Sequence, residues 1–188
     1  MKHIVTPRLL MRPFSESDLG DLHTLYTNPI VMNHISPFRG LDAEETKASL
    51  ERMMSNFESS GYGEFAVIER KEKRFIGRCG LQLLENTGLI ELDYLFLPDW
   101  WHKGYATESA MAILRSAFND WGLETVVGVV RQDNKASARV LEKIGMSFKS
   151  HVFYYNCDML LYSLEKPTHT SDSIFRNSYQ NSERLQVC

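Results

Sequence analysis

Hydrophobic positions recur at helical spacing in the first third of the chain and with a period of two in the middle, and that change divides the molecule into its parts. A short alternating stretch over 8–12 reads as the first strand. Behind it, Ser15, Glu16, Ser17 and Asp18 supply oxygens that can cap a helix carrying Leu19, Leu22, Leu25 and Tyr26 at helical spacing. After Asn28 and Pro29, the stretch through His34, Pro37 and Gly40 reads as a short helix and a loop. Asp42 caps a longer helix in which Leu50, Met53, Met54 and Phe57 fall at i, i+3, i+4 and i+7, and Gly61 ends it.

Runs 64–69, 75–81 and 89–97 then alternate, joined by the charged turn 70–74 and a turn of Glu85, Asn86, Thr87 and Gly88, the pattern of an antiparallel meander. A helix over 105–119 follows, with Ala110, Ile113, Leu114 and Ala117 along one face. The β-branched run 125–130 predicts a strand buried on both faces. Another helix starts at Asn134, carries Ala136, Val140 and Ile144, and stops at Gly145, which suits a left-handed cap. Strand, helix and strand over 89–130 predict a parallel crossover unit, and two strands near 148–153 and 159–164 complete the fold. Past Pro167 the sequence is polar and aperiodic, so the expectation is one domain over 1–166 and a mobile tail over 167–188.

Composition narrows the class. At 188 residues with 43% hydrophobic residues, 24% charged and a net charge of −3, the chain suits one globular core and lacks the basic balance of a nucleic-acid binder. No apolar run reaches the length of a membrane span and the first residues lack a signal-peptide core, so a cytoplasmic protein is expected. Cys79, Cys157 and Cys188 are widely spaced and read as reduced thiols. The six histidines never fall at ligand spacing, so no metal is expected.

The candidate chemistry concentrates after the third meander strand. Trp100 to Ser109 reads as a tight basic turn entering a helix: bare first N–H groups, a close-approach glycine at Gly104 and Lys103 beside it suit phosphate oxygens. A P-loop pattern is absent, and a dinucleotide fingerprint needs three glycines where this turn has one. In the preceding strand Glu91 and Asp93 lie two apart and share a face, either for acid–base work or as the solvent side of a half-buried strand. Trp100 and Trp101 read as packing under the turn. Asn134 and Ser137, taken alone, are a helix N-cap and a first-turn residue.

The run YLFLPDWWHKGYATES over 94–109 resembles the acetyl-coenzyme A motif of the GNAT N-acetyltransferases, closest to the RimJ and RimL type ribosomal-protein N-terminal acetyltransferases. Three further matches stand in order with it across residues 4–165: TPRLLMR over 6–12, Phe75, Ile76 and Gly77 with Gly80 and Leu81, and NKAS over 134–137 running to EKIGM over 142–146. The resemblance implies the α/β GNAT acyl-CoA N-acyltransferase fold: a mixed, mostly antiparallel sheet with a central parallel strand pair splayed for the cofactor, and helices on both faces. It implies acetyl-coenzyme A as co-substrate, no metal, and a monomer or homodimer.

Residue by residue, the resemblance assigns the backbone of Leu95, Phe96 and Leu97 to the pantetheine arm and the N–H groups of His102, Lys103, Gly104, Tyr105, Ala106 and Thr107 to the pyrophosphate. Asn134 would reach the pantetheine, with Ser137 near the thiol. Gly104 and Ala106 fit the family's [QR]xxGx[GA] turn; Trp101 takes its first position and His102 stands where this branch commonly has glycine. The backbone at 102 is therefore expected to avoid a conformation only glycine can adopt.

Glu91 is the implied general base. Asp93, at a position often glycine in this branch, would pair with a cationic substrate. Backbone N–H groups where 89–97 parts from 125–130 would hold the oxyanion. The tyrosine many members use as general acid is replaced by Leu141, leaving Ser137 as acid or water-ordering group, ahead of Tyr105 and Tyr94. His34, Phe38 and Arg39, with Phe153, Tyr154 and Tyr155, lie in the two connections flanking the family's acceptor groove. They could wall a peptide or amphipathic amine, close the core edge or make a dimer contact. The implied activity is direct acetyl transfer to a primary amine, a protein or peptide N-terminal α-amine or a small amine. The missing tyrosine keeps open a non-catalytic acyl-coenzyme A binding or sensor module.

Overall fold

Each strand expected from the alternation forms, and a two-residue strand joins them at the N-terminal edge. The computed structural model of the chain describes residues 3–35, 39–84 and 86–167. In chain order the elements are β1 (Ile4–Val5), β2 (Leu9–Pro13), α1 (Leu19–Thr27), α2 (Pro29–Met32), α3 (Ala43–Ser60), β3 (Glu64–Glu69), β4 (Arg74–Leu83) and β5 (Ile90–Phe96). Then come α4 (Tyr105–Asn119), β6 (Thr125–Arg131), α5 (Lys135–Lys143), β7 (Ser147–Tyr154) and β8 (Cys157–Glu165). The strands form one sheet in the order β1-β2-β3-β4-β5-β6-β8-β7. Every neighbouring pair is antiparallel except β5 and β6.

Period two in the strands sorts side chains onto two faces. Phe65 and Val67 of β3, Ile76 of β4 and Phe96 of β5 pack into a cluster with Ile113, Leu114 and Ala117 of α4 and Leu141 of α5. Their chain neighbours Ala66, Phe75 and Leu95 point the other way, onto Leu22 and Leu25 of α1, Met32 of α2, and Leu50 and Met53 of α3. Each fully buried Leu, Ile or Phe contributes about 1.5–3 kcal/mol relative to exposure, so losing register by one residue would forfeit both cores at once.

The helix ends follow their caps. Asp42 accepts from the Glu45 N–H while Glu45 accepts from the Asp42 N–H, and Gly61 closes α3 at φ 74°. Gly145, at φ 91°, turns the chain out of α5 two residues after the helix ends. In β6, Val126, Val127 and Val130 are buried as expected, whereas Val129 is half-buried because it borders a cavity. The tail expected beyond Pro167, together with Cys188, lies outside the described residues. Among the described residues no helix is long and apolar enough to cross a membrane.

Close approach of β3 and β4 depends on Gly80. A Cβ there would lie 2.2 Å from the Gly63 carbonyl oxygen and 2.4 Å from the Glu64 Cα, both backbone atoms that cannot swing aside. Gly80→Ala is expected to destabilise the fold by about 3 kcal/mol, read as a lower urea midpoint. A midpoint unchanged from the parent would show that the strands part without loss.

Candidate active site

The turn after β5 is held in place by a segment from the start of the chain. Pro98–Trp100 form a short 3-10 turn, Trp100 is buried beneath it, and the Trp101 indole N–H donates to the Phe96 carbonyl at 2.7 Å. Helix α4 then starts at Gly104, at φ 81°, with no side-chain oxygen capping its first N–H groups. Glu108, in the first turn of α4, accepts from the Thr6 hydroxyl at 2.6 Å, the Arg8 N–H at 3.0 Å and the Arg8 Nε at 2.6 Å. Arg8 also donates to the Lys103 carbonyl at 2.8 Å and lies over the Tyr105 ring. The distant Thr6, Pro7, Arg8 segment therefore clamps the turn in place, a role invisible in its local sequence.

The backbone at His102 keeps to a conformation that is not glycine's alone. It adopts φ 59°, in the left-handed region that glycine favours. Histidine is one of the residues that enter this region more readily than most, so the turn keeps its shape without glycine at 102.

Strands β5 and β6 share a single register pair, Glu91 with Val127, and then part. The gap opens into a cavity of about 630 Å³ that runs from the α4 turn past Tyr94 and Val129 to α1 and α3. Its centre is electrostatically tense. Glu91 is buried at 4% exposure, and its Oε2 accepts from the Tyr155 hydroxyl at 2.7 Å and the Gln82 amide at 3.1 Å. Burial, and next the nearby Asp93 charge, push the Glu91 carboxyl up to about 8 against the bonds from Tyr155, Gln82 and the Val129 backbone. The solvent-face reading of Glu91 is thereby ruled out.

Asp93 is also not free for a cationic substrate. Arg78, buried at 6% exposure, donates to it at 2.5 Å and to Glu64 on β3. Burial works against the Arg78 charge, but Asp93, Tyr26 and Glu64 outweigh it and hold the guanidinium well above its usual value. The ionic cluster is internal, and Asp93 braces it.

On the far wall, the Tyr94 hydroxyl lies 2.8 Å from Ser137 Oγ and donates to the Ser137 carbonyl at 3.1 Å. Burial drives the Tyr94 phenol upward from its ordinary range. Asn134 caps α5 through Oδ1, accepting from the Ser137 N–H at 3.1 Å. Leu141, one turn after Ser137 on α5, is buried in the core and borders the same cavity.

Of the positions singled out from the sequence, Glu91, Asp93, Leu95, Phe96, Asn134 and Ser137 border the cavity, as do His34 and the turn residues His102, Gly104, Tyr105, Ala106 and Thr107. Besides Asp93, three do not fit their assignments. Leu97 donates its N–H to the Ile76 carbonyl and accepts from the Trp100 N–H, so its backbone is already engaged. Lys103, expected to offer its backbone N–H, is not among the residues bordering the cavity, and its ammonium lies over the Trp100 ring. Tyr154 ends β7 outside the cavity, and Tyr155, the first residue of the hairpin turn at φ 53°, reaches in instead. Phe38 lies outside the described residues.

Arg78 and Gln82 went unremarked as site residues, and Tyr155 was expected only as one of the aromatics walling the acceptor groove. Arg78 had a legible signal, a charge inside the apolar run 75–81, since a buried charge demands partners. Cys79 sits beside it with a thiol that burial pushes up to about 12. Among the described residues no group of histidine, cysteine and carboxylate side chains is arranged to hold a metal ion.

Comparison with known proteins agrees with this geometry. A model of the acetyltransferase (GNAT) domain matches residues 8–147. The uncharacterized N-acetyltransferase YnaD of Bacillus subtilis is 30% identical over 155 residues, covering 82% of this chain and 87% of YnaD. A GNAT-family acetyltransferase from Bacillus anthracis superposes with a TM-score of 0.76 at 26% identity, covering 88% of this chain and 99% of that one. Likeness of fold alone, at 18% identity, extends to RimL in complex with coenzyme A, with a TM-score of 0.75 and 87% and 98% of the two chains covered. It extends equally to the spermidine N-acetyltransferase of Vibrio cholerae in complex with coenzyme A and spermine, with a TM-score of 0.70 and 94% and 100% covered. The chain belongs to the GNAT acetyltransferases and is an acetyl-coenzyme A-dependent N-acetyltransferase.

Proposed function

We propose that the protein acetylates an α-amino group, that of a peptide N-terminus or of a small amine, by direct transfer with Glu91 as general base. The observation that carries this reading is the buried Glu91 carboxyl raised to about 8 at the point where the strands part. A base of that strength matches an α-ammonium, whose reference value is about 8, and takes its proton without an uphill step. An alkyl ammonium near 10.4 holds its proton more tightly and would oppose the same transfer. Because Arg78 already engages Asp93, the cavity offers a polyamine no spare carboxylate there.

The uncapped N–H groups from Gly104 to Thr107 fit a pyrophosphate, as a helix start without a side-chain cap leaves donors aimed outward. Acetyl-coenzyme A supplies an activated acetyl thioester when bound. The Asn134 amide nitrogen, left over from the cap that uses Oδ1, would hold the pantetheine. Backbone N–H groups in the gap past Glu91 and Val127 would stabilise charge on the acetyl oxygen. The Ser137 hydroxyl, shared with Tyr94, would pass a proton to the thiolate and regain one from solvent, or order the water that gives it. Cys79 is no covalent relay, because its raised value keeps it a thiol.

Mass spectrometry after incubation with peptides, amino acids, spermidine and acetyl-coenzyme A tests the acceptor. Acetylated α-amines in excess over acetylated spermidine support the reading, and the reverse order defeats it. Binding of the coenzyme with thiol release no higher than background, whichever amine is offered, would mark a binding module instead.

Three variants follow. Glu91→Gln is expected to lower kcat/KM at least about a hundredfold at pH 8. Because the folded-state value is raised, the protonated form favours folding and that contribution is lost as pH climbs from the ordinary glutamate range through about 8; the variant should melt above the parent at pH 9 and match it at pH 4. Ser137→Ala should reduce kcat about tenfold or more with acetyl-coenzyme A saturating, and full kcat would end its role as proton source. Gly104→Glu, strained at φ 81° and carrying a negative charge into the phosphate turn, should weaken coenzyme A binding more than about tenfold by calorimetry while leaving the far-ultraviolet circular dichroism unchanged.

A further inference from the structure

The tip of the β7–β8 hairpin breaks its own turn chemistry. Tyr154 and Cys157 pair across it, leaving Tyr155 and Asn156 as a two-residue loop with φ 53° and 55°. Left-handed backbone at both positions is the geometry that asparagine followed by glycine satisfies with least strain. Asn156 suits it; Tyr155, a bulky aromatic, does not. Such strain persists where the surroundings over-determine it, and here the phenol of Tyr155 reaches the base of the reaction.

We infer that Tyr155 is a positioning residue: the strained hairpin tip delivers its hydroxyl to Glu91 Oε2 so that Oε1 is turned toward the acceptor amine and remains able to take its proton. The geometry supports this directly. Both the Tyr155 hydroxyl and the Gln82 amide donate to the same oxygen, Oε2, at 2.7 and 3.1 Å. Two side-chain donors, one from β4 and one from the hairpin, act with the Val129 backbone to stop the carboxylate from rotating about its last bond. The inference rests on Glu91 being the general base.

The same contact governs how readily Glu91 ionises. Facing it are Asp93 on its own strand, which opposes the charge, Gln82 on β4, the Val129 backbone on β6 and Tyr155. Arg78, next along β4, is held between Asp93 and Glu64 of β3, with Tyr26 of α1 against it. Arg52 of α3 acts on Glu64 in turn. Of these groups only Tyr155 comes from a loop, so it can be altered with the strands left in place.

Tyr155→Phe keeps the ring and removes the hydroxyl. The profile of kcat/KM against pH, measured with one α-amine acceptor and saturating acetyl-coenzyme A, is expected to move its acidic limb upward by about one unit. That means about tenfold less activity at pH 7 and agreement within about twofold at pH 9.5. Tyr155→Gly relieves the left-handed backbone, so it should show the same upward limb while its melting temperature holds or rises.

A Phe variant whose profile superimposes on the parent's overturns the inference. So does a Gly variant that melts lower with the limb unmoved, which would make Tyr155 a support for the hairpin. Glu91→Gln separates this failure from that of the base reading: if it retains activity, Glu91 is not the base, whereas loss of activity with an unmoved Tyr155→Phe limb removes Tyr155 alone.

Discussion

The parting of β5 from β6 is the constraint on which the rest of the site depends. Each strand is satisfied on its outer side, β5 by β4 along its whole length and β6 by β8 along its own. Between them only Glu91 and Val127 stay in register. Backbone groups past that point have lost a ladder partner, and buried peptide groups without partners are costly. The wedge thus becomes a place where an extended ligand can complete the pairing, and where a side chain can be buried without being packed solid. Glu91 uses that opening, accepting from the Val129 backbone across the gap.

What holds the wedge open lies at its ends. Beyond β5, the chain turns sharply through Pro98–Trp100, and Thr6 and Arg8 clamp the start of α4 through Glu108. The contact joins residues a hundred positions apart, so the phosphate turn is positioned by tertiary structure rather than by its own sequence. At the other end the buried cluster of Glu64, Arg78 and Asp93 ties β3, β4 and β5 together. Breaking one partner of such a cluster strands a buried charge, so it fixes geometry more than it stabilises the fold.

The strain in the site is local and chemically placed. His102 and Tyr155 both adopt left-handed backbone, and both border the cavity. Glu91 is buried where its charge is disfavoured, and the hydroxyl of Tyr155 and the amide of Gln82 offset part of that cost. These are choices that lower stability and that a scaffold retains where geometry serves chemistry.

Much of this was written in the order of residues. Alternation over 64–97 and helical spacing over 105–119 determined the elements, because a buried face imposes its period on the chain. The GNAT motifs determined the family, and Gly104, Glu91 and Ser137 were named as site candidates from the sequence. Tertiary structure alone decided which neighbour of a pair faces the cavity, so that Tyr155 enters and Tyr154 does not. It alone decided that Asp93 answers an internal arginine, that Leu97 is already bonded and that Arg8 braces the turn. The physical reason is the same in each case. Periodicity reports which face of an element is buried, whereas hydrogen bonds and ion pairs are settled by groups that meet only after distant segments have packed.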